Sequence, residues 1–297
     1  MDDLKLNGLG IALATPFKRD FSIDYEALGK MINHTVSGGC DYIVALGTTA
    51  ETPTLTVDEK QKVAKFIKEK NAGKVPLVLG IGGNCTDRVI KDISTWDLTG
   101  YSAILSVTPY YNKPTQEGLY QHFKTISEVS PLPLILYNVP GRTGVNLTAE
   151  TTLRLSLLIN IVGIKEASGK LDQIKKIIKE GPDKFFVISG NDGDTTEVMK
   201  MGGNGVISVF ANAMPDLMKK LVKLCQGKKW SQAESLQSKM GNIIKHLFEE
   251  GNPAGVKVLL NKLGICENTL RLPLVQVSKY MEEKLISELS YLLSNDL

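Results

Sequence analysis

Eight short apolar runs recur along the first three quarters of the chain. They are rich in Val, Ile and Leu and do not alternate strictly with polar residues, which is typical of strands buried on both faces. The runs span residues 8–17, 42–47, 76–83, 103–110, 132–140, 161–168, 185–192 and 205–209. Each run predicts one buried strand.

Amphipathic segments separate these runs. Residues 57–71 are the clearest case, because Val63 and Ile67 share a helix face opposite Lys65 and Lys68. Strands joined by single helices imply right-handed crossovers between parallel strands. Since the count is eight, we expect the strands to close into a barrel and not to form an open sheet.

The last part of the chain has no strand pattern. Helical patterns cover residues 231–250, 253–262 and 274–294. The predicted fold class is therefore α/β: a (β/α)8 TIM barrel over residues 1–225, with a C-terminal helical extension over residues 226–297 packed on the barrel. No residue of the extension stands out for chemistry.

Composition narrows the class of function. Lys and Arg number 35 and Asp and Glu 32, so the net charge is only +3, which argues against a nucleic-acid partner. Neither a signal-peptide pattern nor an apolar run near the ~18 residues of a membrane span is present, so we expect a cytoplasmic protein. Four scattered cysteines and three isolated histidines predict no metal site and no disulfide framework.

Lys165 lies inside the apolar run 161–168. Active sites of barrel enzymes lie at the carboxyl ends of the strands. An amine buried there loses the hydration of its charged form, and a neutral amine adds to a carbonyl to form a Schiff base. A lysine that reaches water or pairs with Glu166 is the alternative, and Lys165 taken alone leaves both open.

Other polar residues follow the predicted strands. Tyr137 stands where the fifth run ends, and Arg142 follows it in a position where it could hold a carboxylate through two hydrogen bonds. Thr48 and Thr49 follow the second run and could bind a carboxylate or relay a proton. The alternatives are a core tyrosine, a surface arginine and an ordinary turn sequence.

Together these segments resemble the dihydrodipicolinate synthase / N-acetylneuraminate lyase family of Schiff-base barrel enzymes over essentially the whole chain. The most specific parts are Tyr-Asn-Val-Pro-Gly-Arg-Thr from Tyr137 and Gly-Ile-Lys-Glu-Ala around Lys165. Gly-Thr-Thr-Ala-Glu from Gly47 and Ser-Gly-Asn-Asp from Ser189 support the match. The tyrosine-rich loop after the fourth run and Arg142 resemble the synthase branch more than the sialic-acid lyases.

The resemblance implies a lyase of lysine and diaminopimelate biosynthesis that joins pyruvate to L-aspartate 4-semialdehyde and needs no cofactor. Lys165 would form the imine with pyruvate, and Tyr137 would transfer protons. Thr48 would connect Tyr137 to Tyr111 of a neighbouring subunit. The resemblance further implies a homotetramer, built as a dimer of dimers.

The resemblance also implies four substrate-binding residues. Thr49 would hold the pyruvate carboxylate, and Arg142 would bind the carboxylate of the semialdehyde. Gly190 and Ile207 would line the pyruvate pocket with their backbone. Two alternatives remain: another pyruvate-dependent aldolase, such as one acting on a sialic acid, and a non-catalytic carboxylate-binding barrel.

Some positions depart from the family pattern. Ala50 stands where a glycine is usual, which we expect to perturb the turn mildly. Val57, Lys60 and Arg88 stand where lysine-inhibited members resemble one another in having two histidines and a glutamate. Two cations here would repel the side-chain ammonium of lysine, so inhibition by lysine is expected to be weak or absent.

Overall fold

Eight parallel strands close into a barrel in sequence order. The computed structural model describes residues 6–294 of the 297-residue chain. Each strand pairs with the next, and the last pairs with the first. The strands are β1 (Gly8–Ala12), β2 (Tyr42–Ala45), β3 (Leu77–Gly80), β4 (Ala103–Val107), β5 (Leu134–Asn138), β6 (Ile161–Glu166), β7 (Phe186–Ser189) and β8 (Gly205–Ser208). The predicted TIM barrel is confirmed.

Helices cover the outside of the barrel and continue beyond it. They are α1 (Tyr25–Ser37), α2 (Val57–Asn71), α3 (Thr86–Thr95), α4 (Gln116–Val129), α5 (Pro140–Thr143), α6 (Ala149–Ser156), α7 (Leu171–Glu180), α8 (Thr195–Lys200), α9 (Pro215–Gln226), α10 (Trp230–Glu249), α11 (Ala254–Lys262) and α12 (Lys279–Ser294). Helix α2 has the bounds that the periodicity predicts. Within residues 6–294, no helix is long and apolar enough to cross a membrane.

The strands are shorter than the apolar runs that predict them. The run 8–17 contributes only Gly8–Ala12 to the sheet, yet Leu13 and Phe17 beyond it are fully buried. The remainder of the run forms an apolar exit loop at the barrel mouth. A buried loop and a buried strand have the same apolar composition, so the pattern cannot separate them.

The barrel interior is a packed core of its own. Side chains that point inward along the strands fill it, among them Tyr42, Val44, Val78, Leu105, Ile135, Tyr137, Ile188 and Ile207. Gly10 makes room for the largest of them, because a Cβ on Gly10 would lie 2.3 Å from the ring of Tyr42. A second, larger core lies between the strands and the helices.

Helix α12 begins at Lys279 and not near Leu274, where the apolar pattern places it. Ser278 terminates the preceding segment: its hydroxyl oxygen accepts the Met281 N–H at 3.2 Å and its O–H donates to Glu250 at 2.7 Å. The residues after Pro273 remain outside the helix because Ser278 provides this cap.

Arg271 joins the extension to the start of α2. Its guanidinium donates to both carboxylate oxygens of Glu59, at 2.6 and 2.8 Å, and to the carbonyls of Phe21 and Thr54. Hydrogen bonds from Arg271 lower the pKa of Glu59 to about 2. Glu59 also accepts from the Thr56 N–H in a capping box, so this contact and the beginning of α2 depend on one carboxylate.

Glu59→Gln should reduce the free energy of unfolding by about 1–2 kcal/mol at neutral pH, because a charge-assisted bidentate contact is lost. The folded pKa of Glu59 is depressed, so its contribution is present above the unfolded value of 4.5 and is lost as the pH falls toward about 2. Denaturation by urea at several pH values measures the difference. Glu69→Gln, on the exposed side of α2, is the matched control. An equal loss at pH 7 and pH 3 would contradict this assignment.

Candidate active site

The carboxyl ends of β5 and β6 bring Tyr137 and Lys165 together. The two residues are directly paired in the parallel register, and Lys165 is also paired with Ile188 on β7. Neighbouring residues in register point to the same face of a sheet, here the barrel interior. The Nζ of Lys165 lies 4.4 Å from the centre of the Tyr137 ring, and Lys165 is only 4% exposed.

Glu166 points away from Lys165, as strand alternation requires. Its carboxylate accepts from Asn138 Nδ2 at 3.1 and 3.2 Å, from Gln173 Nε2 at 2.8 Å and from the Ser168 N–H at 2.8 Å. Lys165 makes no ion pair within residues 6–294. The alternative in which Lys165 reaches water or pairs with Glu166 is therefore wrong.

Gly190 gives the lysine its space. A Cβ on Gly190 would lie 2.6 Å from Cβ of Ala167 and 3.2 Å from Cε of Lys165. Ile207, on β8, is fully buried and belongs to the same interior core as Tyr137 and Ile188. Both predicted pocket residues thus lie in or beside the interior that Lys165 faces.

The turn after β2 is bracketed by two residues in the left-handed region, Leu46 and Glu51, each with φ 54°. Left-handed residues other than glycine are unfavourable by about 1–3 kcal/mol and persist only where the surrounding structure holds them. Between them, Thr48–Ala50 form a short 3₁₀ turn. Ala50 is buried and outside the left-handed region, so alanine fits where a glycine is usual.

A buried ion pair holds this turn. Lys257, on α11, donates to Oε1 of Glu51 at 2.5 Å, and both side chains are fully buried. The other oxygen of Glu51 accepts the Arg271 N–H at 3.1 Å, and Lys257 also donates to the Thr269 carbonyl at 2.7 Å. Burial lowers the pKa of Lys257, and the charge of Glu51 opposes that shift. Removing one partner of such a pair leaves an uncompensated buried charge.

Asn252 contacts Thr49 directly. Its Nδ2 donates to Oγ1 of Thr49 at 3.1 Å, and both side chains are buried. Asn252 was not predicted as a site residue, because Gly-Asn-Pro between two helical patterns is typical of a simple break between helices. No local signal could have revealed a contact between residues 203 positions apart.

Asp192 is a second buried carboxylate that the sequence analysis did not single out, although it belongs to the Ser-Gly-Asn-Asp motif. It accepts from the Ser208 hydroxyl and from the N–H groups of Val209 and Phe210, at 3.0 and 3.3 Å. Burial raises the pKa of Asp192, and these hydrogen bonds together with the positive charge of Lys165 oppose the rise. Asp192 therefore joins the exit loops of β7 and β8 beside the lysine.

A cavity of about 340 Å³ opens at the barrel mouth. Thr48, Tyr137 and Arg142 line it, the last from the short helix α5 at an exposed position. Lys60 lines the same cavity from α2. Four predicted residues do not line it: Lys165, Thr49, Gly190 and Ile207. Lys165 lies against Tyr137, which forms part of the cavity wall.

Tyr111 lies apart from the other predicted catalytic residues. It is 89% exposed and has φ 72°, in the loop between β4 and α4. The adjacent Tyr110 carbonyl accepts from Asn84 Nδ2 at 3.3 Å. Within the described part of this chain, no hydrogen bond joins Tyr111 to Thr48 or Tyr137, so a single chain does not assemble the predicted relay.

The closed parallel barrel places this chain in the class of (β/α)8-barrel proteins, with a buried lysine beside a tyrosine at the carboxyl ends of the strands. A model of the "Dihydrodipicolinate synthetase family" matches residues 5–292, and the chain belongs to that family. The family expected from the motifs is confirmed.

Named relatives agree over nearly the full length. The chain is 50% identical over 286 residues to the 4-hydroxy-tetrahydrodipicolinate synthase of Parabacteroides distasonis, covering 96% of both chains. It resembles the crystal structure of the dihydrodipicolinate synthase from Aquifex aeolicus, with a TM-score of 0.93 and 40% identity over 96% of this chain and 98% of the other. The structure of the dihydrodipicolinate synthase from Acinetobacter baumannii, solved in complex with pyruvate, matches with a TM-score of 0.93 and 41% sequence identity over 96% of this chain and 98% of the other.

Proposed function

We propose that this chain is a 4-hydroxy-tetrahydrodipicolinate synthase, a lyase that condenses pyruvate with L-aspartate 4-semialdehyde. The observation that carries this function is the buried Lys165 facing Tyr137 across β5 and β6. The main functional prediction is confirmed over the sialic-acid alternative, because the relatives that match nearly the whole chain carry the synthase name.

The first half of the reaction forms an enamine. The amine of Lys165 adds to the keto carbon of pyruvate, and loss of water gives an imine. The imine draws electrons from the adjacent methyl group, which loses a proton. Tyr137 lies at the lysine and is placed to donate and accept these protons. The chemistry needs no metal or other cofactor, because the covalent imine itself is the electron sink.

The second half joins the substrates and frees the enzyme. The enamine carbon attacks the aldehyde carbon, whose oxygen becomes the hydroxyl of the product. The amine of the semialdehyde then attacks the imine carbon and displaces Lys165, which closes the ring. One water is released overall, so atoms balance between two substrates and one cyclic product.

A buried set of residues would select pyruvate, and an exposed residue at the cavity mouth would select the semialdehyde. Thr49, in the turn held by Glu51, would bind the pyruvate carboxylate through its hydroxyl and N–H, and Gly190 and Ile207 would line that pocket with backbone. Arg142, exposed at the mouth of the cavity, would bind the carboxylate of the semialdehyde. The buried position suits the small first substrate and the outer one the second.

Thr48 would relay protons between Tyr137 and the Tyr111 of a neighbouring subunit. The position of Thr48 on the cavity wall supports this role, as does the exposure of Tyr111 at 89% with a left-handed backbone. A tyrosine held in such a conformation on the surface is suited to an intersubunit contact. A Tyr111 shared between subunits requires at least a dimer. In keeping with the family resemblance, we propose a homotetramer, built as a dimer of dimers, that acts in the cytoplasm.

We also propose that residues 1–225 form the catalytic barrel and that residues 226–297 serve it as an extension; residues 1–5 and 295–297 of these ranges lie outside the described part of the chain. The buried pair Lys257–Glu51 and the contact of Arg271 with Glu59 support this division, since both join the extension to segments next to β2.

Incubation with pyruvate followed by borohydride reduction should give a stable pyruvate adduct on Lys165, because reduction converts the imine to an amine. Intact-mass measurement and peptide mapping detect it. Lys165→Ala should give no adduct, whereas Lys170→Ala, an exposed lysine after β6, should behave like the native chain. An unmodified native protein, or an adduct that persists in Lys165→Ala, would refute the mechanism.

Arg142→Ala should raise the KM for the semialdehyde by about 10- to 100-fold, as expected for a lost charge-assisted contact, and should affect the KM for pyruvate much less. Steady-state kinetics with each substrate varied in turn measure both. Arg154→Ala, which removes an exposed arginine paired with Glu117, is the control. Equal changes in both KM values would contradict the role of Arg142.

L-Lysine should inhibit weakly or not at all. Lys60 and Asp92 line the cavity, and Arg88 lies beside it in an ion pair with Asp92 at 3.2 Å. The charge of Asp92 is thus already compensated, and Lys60 would repel the ammonium of the ligand. A steady-state assay with added lysine measures this. Half-inhibition at sub-millimolar lysine would show that the cations do not exclude the ligand.

A further inference from the structure

We propose that Asn252 is a positioning residue that directs the Thr49 hydroxyl hydrogen toward the carboxylate of pyruvate. This inference deepens the proposed function and rests on it, because it assumes that Thr49 binds the carboxylate. It assigns to the C-terminal extension a part in substrate binding that its sequence does not suggest.

A hydroxyl group has a small and fixed hydrogen-bonding capacity. A threonine hydroxyl has one donor and two acceptor positions. Asn252 Nδ2 donates to Oγ1 of Thr49 at 3.1 Å and so occupies an acceptor position. Within residues 6–294, Thr49 Oγ1 donates to no acceptor. A hydroxyl that accepts from Asn252 keeps its hydrogen available for a substrate oxygen.

The segment that carries Asn252 is joined to the same turn at a second residue. Lys257, on the helix that follows, forms the fully buried ion pair with Glu51, two residues after Thr49. The extension therefore contacts this one turn at Thr49, through Asn252, and at Glu51, through Lys257 and the Arg271 N–H. Contacts at both residues restrict the movement of the amide relative to the hydroxyl, which is what orienting a donor requires.

The direction of the hydrogen bond decides the chemistry. An amide can donate through Nδ2, whereas a carboxylate in the same place can only accept. Asn252→Asp keeps the shape but would take the Thr49 hydrogen away from the substrate. It would also place a negative charge near the carboxylate of pyruvate. Asn252→Ala removes the donor and adds no charge.

The experiment measures borohydride trapping of the imine over a range of pyruvate concentrations. Asn252→Asp should raise the half-saturating pyruvate concentration by about 10-fold or more, as loss of a hydrogen bond to a charged group predicts. The adduct yield at saturation and the KM for the semialdehyde should stay near the native values. Asn252→Ala should shift half-saturation in the same direction by a smaller factor. Asn261→Asp, an exposed position on α11, is the charge control.

A double-mutant cycle separates positioning from a structural role. In a Thr49→Val background, which lacks the hydroxyl, Asn252→Ala should have little further effect on half-saturation, because it adds no charge of its own. Unchanged half-saturation in Asn252→Asp, or an equal shift by Asn252→Ala with and without the Thr49 hydroxyl, would overturn the inference. A native protein that traps no pyruvate would instead refute the proposed function, so the two failures are distinguishable.

Discussion

The register between β5 and β6 is the constraint on which the rest of the site depends. A parallel pair in a closed barrel places residues in register on the same face, so Tyr137 and Lys165, 28 positions apart, must meet inside the barrel. The next residues along, Asn138 and Glu166, turn outward and are hydrogen-bonded to each other and to residues of the following loops. One strand pair thus supplies an inner face that carries the proposed nucleophile and proton carrier, and an outer polar face whose hydrogen bonds reach the following loops.

The barrel does not complete the site by itself. The turn that holds Thr48 and Thr49 contains two residues in an unfavourable backbone conformation, and the extension supplies the charges and donors that keep it there. A buried pair such as Lys257–Glu51 is weak evidence for stability, since desolvation opposes the attraction. Its effect is geometric: it sets where the turn lies relative to β2 and to the lysine.

The fold was predictable because eight apolar runs of similar length separated by amphipathic segments admit few architectures. The positions of Lys165 and Tyr137 near the carboxyl ends of their strands were predictable, because a polar group within an apolar run or at its end is unusual. Asn252 and Lys257 were not predictable, because their partners lie about 200 positions away in the sequence. The sequence of α11 does not distinguish a buried lysine from one on the exposed face of an amphipathic helix. The late start of α12 was not predictable, because it depends on the Ser278 cap and not on the apolar pattern.

The proposed mechanism requires that Tyr137 transfers protons while Lys165 forms the imine. Tyr137→Phe keeps the ring beside Lys165 and removes only the hydroxyl. Rapid mixing with pyruvate and timed borohydride quenching should still give an adduct on Lys165, formed more slowly by about 100-fold or more, since a positioned acid–base group contributes about 10²–10⁴-fold. An adduct that forms at the native rate, or on another lysine, would contradict the account.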